Sequence, residues 1–318
     1  MVKTAGIINL KTAFDSRSLV KEIFLNENIL IKRDIKNLLD NTWSKWLGKN
    51  ASERINNSNL FLIYLLDSEN SDDNQKERTL AEAEIFLFFT SLIINDVFSN
   101  EFTYKPYIIS GIYDEEPITI QSFSELQYPV SLVCPNNPIS VNSLNETLQM
   151  YYQFREINNF ANEYYRVIRG IKAFIKGIES KFFVDRIHMF IRSLEAFIFP
   201  PKGDTKREFK NRVSLLTKIT DLDKLCLFYN IRSNVEHMHH PFKGLTKLSD
   251  EDLQKITFEL EIISRIVIKY FLLNKDCWEL FMDSKIEESW GDKGNKITSL
   301  WDLTIDLQEY SNVIFYVD

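Results

Sequence analysis

The spacing of hydrophobic positions changes along this chain, and the change divides it in two. In the first 140 residues, short apolar runs alternate with polar stretches. Residues 59–66 (NLFLIYLL) are too few for a buried helix and rich in aliphatic and aromatic side chains, so they predict a buried strand. Residues 104–121 hold two strand-like runs around Asp114-Glu115-Glu116-Pro117, the pattern of a hairpin. Residues 77–98 predict one long helix with Leu80, Ala83, Leu87 and Ile94 among its apolar positions, whereas 19–47 fit either period. At 129–138 (PVSLVCPNNP), three prolines and an asparagine pair suit neither a helix nor a central strand, and a linker is expected there.

Beyond that linker the pattern is helical. Segments 143–157, 163–179 and 185–198 are three predicted helices. Asp204 and Thr205 are candidate N-caps of a fourth, running to about residue 219, with Glu208 as a capping-box partner. Asp221 is placed to cap 222–237, and Ser249 with Asp252 to open an amphipathic helix over 251–273. Residues 276–318 carry three of the five tryptophans and a last apolar run at 313–317, read as a terminal helix and strand that pack back on the body. The fold class expected is mainly α, with a smaller mixed α/β domain over 1–135 and a helical domain over 140–318.

Composition narrows the function classes. Hydrophobic residues make up 44% and charged residues 26%, a globular balance that excludes disorder over most of the length. No stretch reaches the roughly 20 apolar residues of a membrane helix, and the N-terminus has no apolar signal core. A cytoplasmic protein without a membrane partner is expected. Cys134, Cys226 and Cys277 are odd in number and far apart, which predicts ordinary thiols rather than a disulfide framework or zinc site. Net charge is −7, yet residues 165–218 hold thirteen Lys/Arg against five Asp/Glu, a net of +8. A local basic surface on an acidic chain suits a small phosphate-bearing site better than an extended nucleic-acid track. Arg166, Arg169, Lys172 and Lys176 recur every three or four residues, so they are expected on one helix stripe, a solvated or phosphate-steering face.

Chemistry concentrates in residues 225–241, LCLFYNIRSNVEHMHHP, where His237 follows Arg232 by five residues. Five helical residues turn through about 140°, so the two share no face in mid-helix. Pro241 predicts a helix end nearby, which frees the terminal imidazole, and a two-fold axis would set one such pair against another. Histidine both takes and gives protons near neutral pH, and the guanidinium fork matches a phosphate. RNA brings its own nucleophile, the 2′-hydroxyl, so these groups need neither metal nor cofactor. The plainer reading of Arg232 is an i,i+4 pair with Glu236. His237, His239 and His240 have no cysteine or carboxylate at ligand spacing, so no metal site is expected. His239 and His240 are candidates to touch RNA phosphates, and Glu195 to orient the arginine or the histidine from a neighbouring helix.

This segment resembles the HEPN superfamily, whose ribonucleases carry an Arg-x4–6-His motif on a helix. The Apea-like group is the nearest in pattern. Arg192-Ser193-Leu194-Glu195-Ala196-Phe197 is similar to that group's Leu-Glu-Ala helix. A polar loop, the run Lys210-Asn211-Arg212-Val213-Ser214-Leu215-Leu216 and then Leu227-Phe228-Tyr229-Asn230-Ile231-Arg232-Ser233 follow in the same order over about 142–273. The resemblance implies a helical nuclease bundle with Arg232 and His237 as the catalytic pair and Ser233 and Asn234 beside them at the substrate. It further implies a homodimer that forms the site from two motifs, and RNA cleavage in bacterial anti-phage defence or a toxin system. The sequence departs from the usual pattern at Ser233 and Met238. It carries His239 where toxins silenced by nucleotidyl transfer carry a tyrosine. Without a nuclease, the alternative is a silent HEPN module binding RNA, a nucleotide or a protein. The N-terminal domain is expected to sense or regulate.

Overall fold

The computed structural model describes residues 3–11, 21–35, 38–67, 75–95, 105–113, 118–127, 139–201, 203–237, 248–291 and 295–310. They are mostly helical, with an antiparallel sheet near the N-terminus and helices through the C-terminal part. The sheet comprises β1 (Lys3–Leu10), β2 (Glu22–Phe24), β3 (Ile29–Lys32), β4 (Leu60–Asp67), β5 (Tyr107–Tyr113) and β6 (Thr119–Glu125), in the order β2-β3-β4-β1-β5-β6. β1 lies at its centre, pairing Lys3↔Asp67 through Leu10↔Leu60 with β4 and Lys3↔Tyr113 through Ile8↔Ile108 with β5.

Both faces of the sheet are covered, which explains why the run at 59–66 is apolar throughout rather than alternating. Ala5, Ile7, Ile63 and Ile109 point to one face, where Ile55 of α1 (Asn41–Asn56) joins their core and Trp43 and Leu47 pack against it. Thr4, Gly6 and Ser110 point the other way, to α2 (Gln75–Asn95), whose Glu77 and Glu82 accept hydrogen bonds from Thr4 (3.2 Å) and Ser110 (2.5 Å). A Cβ on Gly6 would sit 2.4 Å from the Ala81 carbonyl oxygen, so helix and strand are in backbone contact there. That contact sets the rotation of α2. Ala81, Ile85, Phe88 and Leu92 are buried, while the expected face residues Leu80 and Ala83 are exposed. The predicted hairpin forms as β5–β6, with a bulge at Ser110/Gly111; its connection, 114–117, and the linker, 129–138, lie outside the described residues.

Two compact units result: Met1–Tyr128 with Pro135–Tyr151, and Pro129–Cys134 with Tyr152–Asp318. The division falls inside α3 (Val141–Asn159) rather than between residues 135 and 140, because its first turns belong with α2. Asn95 donates to Thr147 (3.0 Å), and the Tyr151 hydroxyl donates to the buried Glu84 carboxylate (2.5 Å).

The second unit is built from α4 (Tyr165–Glu179), α5 (Phe183–Ile198), α6 (Thr205–Thr217), α7 (Leu222–Glu236) and α8 (Asp250–Leu273). α5 packs against each of the other four. Asp221 caps α7 by accepting from the Lys224 N–H (2.9 Å), and Ser249 with Asp252 forms a complete capping box on α8. The box expected at Thr205 and Glu208 does not form. The Thr205 hydroxyl turns to the Pro201 carbonyl, and Glu208 instead accepts from Arg212 one turn on (3.1 Å).

Residues 275–291 and 295–310 form short helical turns, not one terminal helix; the apolar run 313–317 lies outside the described residues. Trp278, Trp290 and Trp301 are buried there, and their indole N–H groups donate to the carbonyls of Phe271, Phe197 and Leu216. These three bonds fasten the C-terminal turns to α8, α5 and α6. Among the described residues no helix is long and apolar enough to cross a membrane.

Candidate active site

The polar cluster of the second unit lies where α5 meets α7. Along α7, Leu225, Phe228, Ile231 and Arg232 form the buried stripe, so the motif arginine continues a core face. On α5, His188, Arg192 and Glu195 follow at spacings of four and three, which puts them on one face. Arg232 Nη2 donates to Glu195 Oε2 at 2.9 Å, and Arg232 Nη1 pairs with Glu236 one turn along its own helix. Glu236 Oε1 also accepts from Arg192 Nη1, at 3.1 Å. The result is a chain of alternating charge, Glu195–Arg232–Glu236–Arg192, that runs from the core outwards. Side-chain exposure rises along it, from 13% at Glu195 and 10% at Arg232 to 35% at Glu236 and 40% at Arg192.

Glu195 is itself held in place. It sits in the last turn of α5, where carbonyls lack helical partners and cations are favoured. Arg166 donates to the Glu195 carbonyl (3.0 Å), and Arg212 to those of Ile198 (3.0 Å) and Phe199 (2.6 Å). Arg166 also stacks 4.4 Å from the centre of the Phe199 ring. It therefore leaves the expected stripe, while Arg169, Lys172 and Lys176 remain exposed. Burial pushes the Arg166 guanidinium down from its ordinary value, opposed by Asp283 and Glu195.

His237 is the C-cap of α7, exposed to solvent, with its N–H bonded to the Ser233 carbonyl (3.1 Å). Arg232 is buried where α7 meets α5. Ser233 and Asn234 are half-buried on the intervening turn, and His239 and His240 lie outside the described residues. Arg232 does pair with Glu236, and it pairs with Glu195 besides. Among the described residues no three His, Cys, Asp or Glu are grouped to hold a metal ion.

Two members of the cluster were not assigned from sequence, His188 and Arg192. Their signal was the i, i+4, i+7 spacing with Glu195, legible only once α5 is known to turn that face to α7. The His188 Nδ1 is buried without a partner among the described residues. Burial lowers its pKa, Arg232 and Arg192 lower it further, and Asp185 and the Arg232 backbone oppose them. The folded protein thus disfavours a proton that the unfolded chain accepts near 6.5. This contribution to stability is complete above that value and is lost as pH falls below it. His188→Gln is therefore expected to lessen the loss of stability between pH 7 and pH 5, read as urea midpoints. An unchanged pH dependence would show that the ring titrates as in the unfolded chain.

The chain matches no family model, no curated protein and no solved structure.

Proposed function

We propose that the second unit is a metal-independent endoribonuclease of HEPN type, with His237 as the acid/base and the Arg232 cluster at the scissile phosphate, acting in bacterial defence against phage. The observation that carries this reading is the Glu195–Arg232–Glu236–Arg192 chain, which carries fixed guanidiniums from the core of the unit to its surface at the very turn that ends in an exposed imidazole. Such an arrangement supplies both things that RNA cleavage needs. An imidazole removes the 2′-hydroxyl proton, and the 2′-oxygen attacks phosphorus. The bond to the 5′-oxygen then breaks, and that oxygen takes a proton from a second imidazole, the partner subunit's His237. The products are a 2′,3′-cyclic phosphate and a free 5′-hydroxyl. Preorganised guanidiniums stabilise the charge that develops on phosphorus, with effects of about 10²–10³ in rate.

A second reading, a silent HEPN module that binds RNA, a nucleotide or a protein, is favoured by one observation: Arg232 is neutralised by two carboxylates and only 10% exposed. Cleavage of total RNA in excess chelator separates the two. The wild type is expected to cut, leaving cyclic phosphate ends, and His237→Ala and Arg232→Ala to lose at least about 10²-fold in rate. Equal rates in wild type and His237→Ala would refute the nuclease, and binding without cutting would select the silent module.

A further inference from the structure

We propose that Arg192, rather than Arg232, is the guanidinium that contacts the phosphodiester, and that Arg232 is a positioning residue that holds Glu236 and the end of α7 in place. The inference rests on the nuclease reading only for the bond to be cut; the phosphate contact itself stands on the following geometry.

Arg232 is held by carboxylates and shielded from solvent. Its two Nη atoms serve two different carboxylates, Glu195 and Glu236, and its Nε is buried without a partner among the described residues. The Tyr229 ring lies 5.7 Å from its guanidinium carbon. A phosphate reaching it would have to displace a carboxylate and enter a site that is 10% exposed, giving up its hydration on the way.

Arg192 is differently placed. Its side chain is 40% exposed, and among the described residues only its Nη1 is engaged, by Glu236. Nε and Nη2 remain for an acceptor with two oxygens, the pairing that a planar guanidinium makes with phosphate. Location agrees with chemistry. The Glu236 carboxylate that Arg192 grips belongs to the residue immediately before His237, so the ion pair sets Arg192 at the end of α7 where the imidazole stands. Arg232, five residues earlier on the helix, faces α5 instead. Glu236 is held from both sides, by Arg232 within and Arg192 without, so a phosphate that takes the outer edge of Arg192 leaves the inner pair intact.

The test compares Arg192→Ala, Arg192→Lys and Arg232→Lys, each in the full chain and each shown by circular dichroism to be folded. Two readouts are used: cleavage of RNA in chelator, and binding of a single-stranded 2′-O-methyl RNA, which lacks the nucleophile and stays uncut. Losing one phosphate contact lowers the dependence of log affinity on log salt by about 0.7 on a single strand. Arg192→Ala is expected to show that loss, with about a tenfold weaker affinity at low salt and a rate lower by about 10²-fold. Arg192→Lys should restore the salt slope, which reads charge, but not the rate, which needs the fork. Arg232→Lys should cut slowly while keeping the wild-type salt slope. Wild-type affinity and slope in Arg192→Ala, or a slope lost in Arg232→Lys instead, overturns the assignment while leaving the nuclease standing. A wild type that binds the 2′-O-methyl strand but cuts no RNA overturns the nuclease, and the slopes still decide between the two arginines. A wild type that does not bind the strand even at low salt overturns both.

Discussion

Glu261→Ala is expected to unfold the second unit under conditions where the wild type is intact. Glu261 is fully buried on α8, and its two oxygens accept from Arg186 and Arg265, each at 2.9 Å. The arginine side chains are themselves only 3% and 7% exposed and stack near the rings of Phe190 and Phe174. Burial already drives the Arg186 guanidinium down; the Glu261 carboxylate opposes that, and the neighbouring Arg265 charge adds to it. Removing the carboxylate leaves two buried cations facing each other without the group that reconciles them. Breaking a buried pair from one side costs about 3–5 kcal/mol, a large share of the 5–15 kcal/mol that holds a domain together. Glu261→Gln keeps an acceptor but not the charge and should fall between. Urea midpoints followed by tryptophan fluorescence report this directly, since Trp278, Trp290 and Trp301 all lie in that unit. A midpoint no lower than that of the exposed Glu251→Ala would show that the arginines find other means of neutralisation.

Alanine at Gly177 or Gly170 should destabilise the same unit, against the usual trend. In a helix interior, Gly→Ala normally adds about 0.5–1 kcal/mol. Here the two glycines lie seven residues apart, two turns along one face of α4, where that helix crosses α5. A Cβ at Gly177 would come 2.6 Å from the Phe190 ring, and one at Gly170 would come 2.5 Å from the Ala196 Cβ. Either the Phe190 ring or α5 must shift to make room, and overpacking of this kind costs about 1–3 kcal/mol at each site. The double variant should show both effects together. α5 also carries His188, Arg192 and Glu195, so the RNA cleavage proposed above should drop even at temperatures where the variants remain folded. Variants as stable as the wild type would mean that the crossing relaxes, and the expected link between the crossing and the proposed cleavage would go with it.

The sequence by itself determined whatever depends on near neighbours in the chain. Asp221 capping α7, the Ser249–Asp252 box and the strand at 59–66 all follow from groups within a turn or two of one another. The angle between Arg232 and His237 belongs here too, because it is a property of the helix alone. Tertiary structure decided every case in which a long polar side chain had several partners within reach. Arg166 left a solvent stripe for the end of α5, and Arg232 took Glu195, thirty-seven residues away, in addition to the near Glu236. Packing also set the rotation of α2, through the backbone contact at Gly6, and turned the face bearing His188 and Arg192 towards α7. The reason is common to all of them. Periodicity states which residues share a face, but only the packed neighbours decide which face is buried and which charges meet there.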